Sequence, residues 1–193
     1  MDLYLASASP RRIELLKALG LVFTSLSADA DETRLPGEPP RDHVLRLAAA
    51  KAEIILSRVS LENPRALVLG ADTIVLTDDG KILGKPKDPL EARKMLDLLS
   101  GAWHSVLTGF AVVSLKTKKS GLVKTRVSFR SLTEAEKELW LACGEGLDKA
   151  GGYAVQGAFG PLLVDRVEGS YSNIIGLPVK ETLSLVYEVA GEL

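Results

Sequence analysis

The alternation of apolar runs with helix-patterned segments constrains the fold more than any other feature of the sequence. Apolar runs predict strands at residues 3–6, 22–26, 66–77, 81–83, 103–115, 122–129 and 162–167. Apolar residues at helical spacing predict helices at residues 10–19, 42–58, 89–99 and 178–190, with another that begins at Thr133. Long strand pairs mixed with helices favour an α/β or mixed α+β fold with a mixed sheet. The length of 193 residues predicts a single domain that spans residues 1–193.

Charge and composition exclude several classes of function. The 24 Lys+Arg and 25 Asp+Glu residues nearly cancel, so a global positive field for stable nucleic-acid binding is not expected. No run reaches the ~18 apolar residues of a membrane helix, and no basic segment precedes an apolar stretch at the start. We therefore expect no membrane association and a cytoplasmic location. One cysteine and two histidines cannot form a disulfide framework or a histidine-rich zinc site.

A serine loop followed by two arginines indicates an anion site at the first predicted helix. Pro10 suits the first helical position, which makes Ser9 the N-cap. Arg11 and Arg12 then fall in the first turn, where the helix already carries about half a positive charge. Helix amides, the hydroxyls of Ser7 and Ser9 and two guanidinium groups together predict phosphate binding. The alternative is a solvated helix start whose arginines pair with loop carboxylates.

A single acid interrupts the apolar run of residues 66–77. Asp72, followed by Thr73, has apolar neighbours on both sides. Burial of an unpaired carboxylate costs several kcal/mol, so Asp72 needs a cation, a metal or several donors. It is a candidate general base or metal ligand, unless it sits at a strand end and caps a turn. Lys51, on the apolar face of the second helix, could reach phosphate, although such a lysine more often extends to solvent.

Two charged loops carry weaker signals. The segment of residues 27–41 contains Asp29, Asp31 and Glu32, whose oxygens suit Mg²⁺, although for any one of them a solvated charged loop is the more ordinary interpretation. Lys85 lies between a glycine and a proline and could meet a triphosphate as a point charge. A solvated loop lysine is the ordinary alternative.

One amide stands out in the glycine-rich residues 144–160. Gln156 offers a donor and an acceptor, which suit the imide edge of uracil or thymine, although an incidental surface glutamine is the simpler interpretation. The glycines do not form Gly-x-Gly-x-x-Gly between a strand and a helix, so a dinucleotide-binding redox enzyme is not expected. Residues 169–178 could form a structural turn, a substrate wall or a subunit contact.

Taken in order, these segments resemble the Maf family of nucleotide pyrophosphatases. The resemblance runs from Leu3 to about Glu188, and its strongest segments are residues 7–12, 71–75, 84–86, 148–151 and 169–173. It implies a fold similar to that of inosine triphosphate pyrophosphatases: an elongated mixed sheet flanked by helices, with two lobes and a central cleft. It also implies hydrolysis of nucleoside triphosphates to monophosphate and pyrophosphate with a divalent metal, Mg²⁺ or Mn²⁺.

The resemblance also assigns roles to residues. The family branch that acts on dTTP and UTP carries a glutamine at the position of Gln156. Arg11, Thr73 and Gln156 fall on the family's positions for base choice, and Asp72 falls on its proton acceptor. Other positions that line the family's cleft fall on Ser7, Arg12, Glu32 and Lys85.

The resulting hypothesis is metal-assisted attack of water at the α-phosphorus of dTTP, UTP or a modified pyrimidine nucleotide. Asp72, alone or with Glu32, deprotonates the water, and both carboxylates hold the metal. Lys85, Arg12 and the metal neutralise charge on the leaving pyrophosphate. The expected partner is a small-molecule nucleotide, and a homodimer is suggested by the resemblance alone. The rival hypothesis is a nucleotide-binding regulatory protein of cell division without significant turnover.

Overall fold

Strands and helices alternate along the chain in a computed structural model that describes residues 2–157 and 159–192. The strands are β1 (Asp2–Ala6), β2 (Phe23–Leu26), β3 (Ala66–Thr77), β4 (Ile82–Leu83), β5 (Trp103–Val113), β6 (Lys118–Phe129) and β7 (Val164–Glu168). The helices are α1 (Pro10–Ala18), α2 (Pro40–Val59), α3 (Pro89–Leu99), α4 (Glu134–Cys143), α5 (Gly160–Leu163), α6 (Tyr171–Ile175) and α7 (Val179–Ala190), with a 3₁₀ turn at Ala150–Gly152. None of the described helices has both the length and the apolar character needed to cross a bilayer.

The strands form one seven-stranded mixed sheet. Its order is β2-β1-β3-β5-β6-β7, and β4 pairs with β3. β1 runs parallel to both β2 and β3, whereas β3 with β4 and β6 with β7 are antiparallel pairs. The predicted fold class, a mixed sheet flanked by helices, is therefore confirmed.

The described residues fall into two compact units. The first comprises the described residues up to Thr73, Thr108–Val123 and those from Gly176 onward. The second comprises Ile74–Leu107 and Lys124–Ile175. The divisions fall within β3, β5 and β6, so these strands contribute residues to both units. The predicted central cleft and the single-domain organisation remain predictions.

In the first unit, alternate side chains of the strands face two different helix layers. One apolar cluster joins β1, β3 and β5 to α1 and α7 through Leu3, Leu5, Leu16, Leu67, Leu69, Ala71, Phe110, Val112, Leu177, Val186 and Val189. A second joins the same strands to α2 through Ala6, Ala48, Ala49, Ala52, Ile55, Leu56, Ala66, Val68, Ala111 and Val113. Because successive side chains point to opposite faces of a strand, Asp72 continues the α2 face and Thr73 continues the α1 face.

A glycine lets α2 approach β3 closely enough to set the position of the site. A Cβ atom at Gly70 would lie 2.1 Å from the carbonyl oxygen of Ala48, so any other residue would displace the helix backbone. Asp72 follows Gly70 on the same strand face, and Lys51 follows Ala48 by one helical turn. The contact therefore brings Lys51 opposite Asp72.

The second unit has an aromatic core around a buried histidine. The rings of His104, Phe129 and Tyr153 pack edge to face, with centroids 4.7–5.3 Å apart. His104 Nε2 and the Tyr153 hydroxyl lie 2.8 Å apart, and Trp140 Nε1 donates to the Gly152 carbonyl at 2.8 Å. These contacts hold the glycine-rich segment against the core.

Several boundaries predicted from the sequence are wrong. Residues 162–163 end helix α5 instead of starting a strand, because Pro161 favours a helical start. β6 begins at Lys118, earlier than predicted, because the turn before it is tight: the Ser114 N–H donates to the Thr117 carbonyl at 2.8 Å. Helix α6 occupies part of residues 169–178, for which the sequence indicated no helix.

Candidate active site

A buried lysine joins the two carboxylates that were predicted to act together. Lys51 Nζ lies 2.8 Å from Asp72 Oδ1 and 2.7 Å from Glu32 Oε1. Lys51 and Asp72 are each only 8% exposed, whereas the Glu32 side chain is 57% exposed. Asp72 lies within β3 and takes its cation from the protein, so the interpretation of Asp72 as a turn cap is wrong. The alternative in which Lys51 extends to solvent is also wrong, whereas its predicted contact with phosphate stays a prediction.

Arg12 ties the start of α1 to the strand that carries Asp72. Its Nη1 donates to the Ala71 carbonyl at 2.8 Å, and its Nη2 donates to Thr73 Oγ1 at 3.0 Å. Its Nε donates to the Gly176 carbonyl at 2.8 Å. The guanidinium therefore contacts both chain neighbours of Asp72. The helix start lies beside the acid, beyond the carboxyl end of β1, which is where open α/β sheets bind ligands.

Several charged groups lie close enough to Arg12 to change its pKa. Burial lowers the pKa of Arg12, the Asp72 carboxylate raises it, and the neighbouring Arg11 lowers it again. Three of the bonds of Arg12 go to the protein backbone or to Thr73. Arg12 is therefore a structural support of the site as well as a candidate phosphate ligand.

The serine loop between β1 and α1 is shaped by Ser7. Its Oγ accepts from the Ser9 N–H at 3.2 Å, and its carbonyl accepts from the Ser25 hydroxyl at 2.6 Å. Ser9 is the N-cap and Pro10 opens the helix, as predicted, but the Ser9 side chain makes no capping hydrogen bond. The first turn of α1 contains no acid. This helix start has the polarity that an anion would complement.

Lys85 and Gln156 belong to the second unit. Lys85 is exposed and follows Gly84, whose carbonyl accepts from the Gly151 N–H at 3.0 Å. Gln156 is half-buried. The structure thus gathers the other candidate residues in the first unit: Ser7, Ser9, Arg11, Arg12, Glu32, Lys51, Asp72 and Thr73. The roles predicted for Lys85 and Gln156 stay predictions.

Sequence reasoning missed a buried polar network near Glu32. Glu38, only 8% exposed, accepts from Arg46 Nε at 2.6 Å and from His43 Nδ1 at 2.9 Å. The hydrogen bond from Arg46 is the main cause that lowers the pKa of Glu38 from 4.5 to about 2. The available signal was the spacing of His43 and Arg46, which share one face of α2 near its start.

Glu32 and Asp72 fit a divalent cation that arrives with a phosphorylated ligand. Their oxygens meet on one ammonium group, so two carboxylates converge on a single point of positive charge. Mg²⁺ is usually bound by one or two carboxylates together with substrate phosphates, and this donor set matches that pattern. In the part of the chain that the structure describes, no group of three or more His, Cys, Asp or Glu side chains could hold a metal.

The fold and the site define an α/β protein with paired buried charges beside a helix start suited to phosphate. The chain belongs to the Maf family, whose model, described as Maf-like protein, matches residues 2–189. It is similar to a dTTP/UTP pyrophosphatase of Geotalea uraniireducens (strain Rf4), 46% identical over 186 residues that cover 94% of this chain and 92% of the relative. It is also similar to a dTTP/UTP pyrophosphatase of Myxococcus xanthus (strain DK1622), 49% identical over 189 residues, covering 98% and 92%.

Among solved structures, the chain is similar to a nucleoside-triphosphatase / dITP/XTP pyrophosphatase from Mycobacterium abscessus ATCC 19977 / DSM 44196. The TM-score is 0.43 and the identity 15%, over 98% of this chain and 94% of the other.

Proposed function

We infer that this protein hydrolyses nucleoside triphosphates, dTTP and UTP among them, to the monophosphate and pyrophosphate. Relatives that are 46–49% identical over nearly the whole chain carry the name dTTP/UTP pyrophosphatase. The structural observation that carries the proposal is the Lys51 ammonium, which is held between Asp72 and Glu32 beside the start of α1. A nucleotide-binding protein without turnover is not favoured, because these relatives are named as enzymes.

Asp72 is the general base in this proposal. A water molecule forms a new bond to the α-phosphorus and gives its proton to the Asp72 carboxylate, and the bond between the α-phosphorus and pyrophosphate breaks. Lys51, which extends from α2, keeps the carboxylate oriented, because its ammonium donates a hydrogen bond to Asp72 Oδ1. Positioning and electrostatics supply most of the rate in such reactions.

The start of α1 is the proposed phosphate site. Its backbone amides and the serine loop offer hydrogen-bond donors, and Arg11 adds positive charge. Arg12 holds the start of the helix against β3 through its bond to the Ala71 carbonyl. Lys85 neutralises the leaving pyrophosphate, and Gln156, Arg11 and Thr73 select the base; these roles are supported by the resemblance to the family. A divalent cation, Mg²⁺ or Mn²⁺, held by Glu32 and Asp72, would supply further charge neutralisation when bound.

The remaining expectations belong to the same proposal. A homodimer, a cytoplasmic location and activity on modified pyrimidine nucleotides stay predictions from the sequence. Sedimentation of the purified protein with and without dTTP would measure its oligomeric state directly.

The test is turnover of a panel of nucleotides by the purified protein, with Mg²⁺ or Mn²⁺, in water whose oxygen carries a heavy isotope. We expect pyrophosphate as the released product, fastest turnover with dTTP and UTP, and the heavy oxygen in the monophosphate, because water attacks the α-phosphorus. Heavy oxygen in the pyrophosphate would place the attack at the β-phosphorus. Tight nucleotide binding with no product would instead support the regulatory alternative.

A further inference from the structure

The loop between β2 and α2 delivers Glu32 to Lys51 although the Glu32 side chain is more than half exposed. The two residues that flank Glu32 are both tied down. The Thr33 carbonyl accepts from Arg46 Nη2 at 3.1 Å, and the Thr33 N–H donates to Asp31 Oδ1 at 2.9 Å. The position of the Glu32 carboxylate therefore depends on a contact between the loop backbone and α2.

Glu38 holds the arginine that makes this contact. Its two carboxylate oxygens accept from Arg46 Nε at 2.6 Å and from Arg46 Nη2 at 2.9 Å, which is a bidentate pair. His43 Nδ1 and the Leu35 N–H donate to the same carboxylate at 2.9 Å and 3.2 Å. Bidentate pairs of arginine with carboxylate fix geometry as well as charge, so Glu38 sets the direction of the guanidinium.

The closing end of the loop is fixed by the same residue. Arg34 Nε donates to the Glu38 carbonyl at 2.9 Å, so Glu38 accepts from one arginine through its backbone and from another through its side chain. Because Glu38 is an ionised carboxylate with very little solvent exposure, its burial is stable only while these donors stay in place. The network therefore favours one arrangement of the loop.

We propose that Glu38 is a positioning residue that orients Glu32 through Arg46 and the backbone of Thr33. Within residues 2–157 and 159–192, the Glu38 side chain bonds to Arg46, His43 and Leu35 and not to Lys51 or Asp72, so it acts on the site through Arg46 and Thr33. This inference rests on the proposed function, since the carboxylate it orients is the one that assists Asp72. Its effect is on the rate of the chemical step, and nucleotide affinity is left largely unchanged.

The test compares Glu38→Gln with a control, Glu53→Gln. Glu53 lies on α2, as Arg46 does, and the control removes its exposed ion pair with Lys118. Glutamine keeps the shape of Glu38 but loses the charge that fixes Arg46. We expect kcat with dTTP to fall about tenfold while KM changes little, since a small misplacement of a reacting group is costly. Glu53→Gln should keep both constants. Equal constants for the two variants would overturn the proposal.

A double-mutant cycle separates positioning from general destabilisation. In a Glu32→Gln background, Glu38→Gln should have no further effect on kcat, because the group it positions is gone. If the two losses multiply instead, Glu38 does not act through Glu32. Should Glu38→Gln fail to unfold cooperatively, Arg46→Lys replaces it in the same cycle, since lysine keeps the charge but cannot form the bidentate pair.

Hydrogen exchange gives a readout that does not need turnover. Amides of residues 31–35 should exchange on the order of tenfold faster in Glu38→Gln than in the parent protein, and no faster in Glu53→Gln. Unchanged exchange in this segment would overturn the proposal. If the parent protein releases no pyrophosphate, the proposed function fails, and the exchange result still decides whether Glu38 holds the loop.

Discussion

The two units carry their candidate functional groups in different ways. In the first unit, Asp72 and Lys51 lie on a long strand and a long helix, and both are almost fully buried. In the second, Lys85 is exposed on a loop and Gln156 lies in a glycine-rich segment outside helices and strands. Groups on helices and strands are held more precisely than groups on loops, so the position of Asp72 relative to Lys51 is the more tightly fixed of the two arrangements.

The segment that carries Gln156 is nevertheless anchored. The Tyr171 hydroxyl donates to the Val155 carbonyl at 2.9 Å, and Tyr153 contacts buried His104. The anchors are hydrogen bonds between neutral groups, in contrast to the ion pairs around Asp72. We therefore expect that loss of the Asp72 carboxylate acts mainly on the rate, and that loss of the Gln156 amide acts mainly on base preference.

The largest expected effect follows the change Asp72→Asn. The variant keeps the shape of the side chain but removes the proton acceptor, so kcat should fall about 10³-fold. Nucleotide affinity, measured by calorimetry, should stay within a few-fold. The matched control is Asp97→Asn, which breaks a pair with buried Lys137 in the second unit at 2.7 Å and should keep the parent rate. A parent-like rate for Asp72→Asn would exclude Asp72 as the base.

The next effect concerns the neutral histidine of the second unit. Burial lowers the pKa of His104 from 6.5 to about 4, so the unfolded chain binds a proton that the folded protein excludes. Stability is complete above pH 6.5 and falls as the pH approaches 4, by about 3 kcal/mol. Urea unfolding over this range should show the loss in the parent protein and in His43→Gln. If the free energy of unfolding of His104→Gln fell with pH as steeply as that of the parent protein, His104 would not be the group that causes the loss.

A smaller loss is expected for Arg12→Lys in the first unit. An ammonium cannot reach the carbonyls of Ala71 and Gly176 and the Thr73 hydroxyl at once, so the free energy of unfolding should fall by about 2 kcal/mol. Urea unfolding would measure it. Arg58→Lys is the control, because exposed Arg58 donates from its Nη1 to the Ser27 carbonyl at 3.1 Å, a single contact that an ammonium can also make. Equal losses would mean that Arg12 does not brace the site.

The smallest effect is expected for Gln156→Ala. Loss of one amide that pairs with the base should reduce the preference for dTTP over a purine nucleotide about tenfold, equivalent to about 1.4 kcal/mol. The rate with saturating dTTP should change little, as measured by pyrophosphate release. Asn63→Ala, which removes a half-buried amide that donates to Asp2 in the first unit, should keep the preference. A uniform loss across all nucleotides would argue against base recognition by Gln156.

Local sequence patterns predicted well where helices start. Pro10 and Ser9 marked the start of α1, and the helix predicted to begin at Thr133 is α4, which has Thr133 as its N-cap in a capping box with Glu136. These predictions hold because a cap depends on residues three or four positions apart. The predicted strand at residues 162–163 failed because apolar residues in a short run fit a helix as well as a strand.

The sequence by itself determined that Asp72 needs a cation, a metal or several hydrogen-bond donors, since an unpaired carboxylate is too costly within an apolar strand. It did not determine that the partner is Lys51, or that Arg12 reaches Ala71 and Gly176. Those contacts join residues far apart in the chain, and they exist only because α2 packs on β3 at Gly70 and α1 starts where β1 ends. Spacing along a sequence carries information about neighbours within one element, whereas the partners of a buried charge are chosen by how the elements pack.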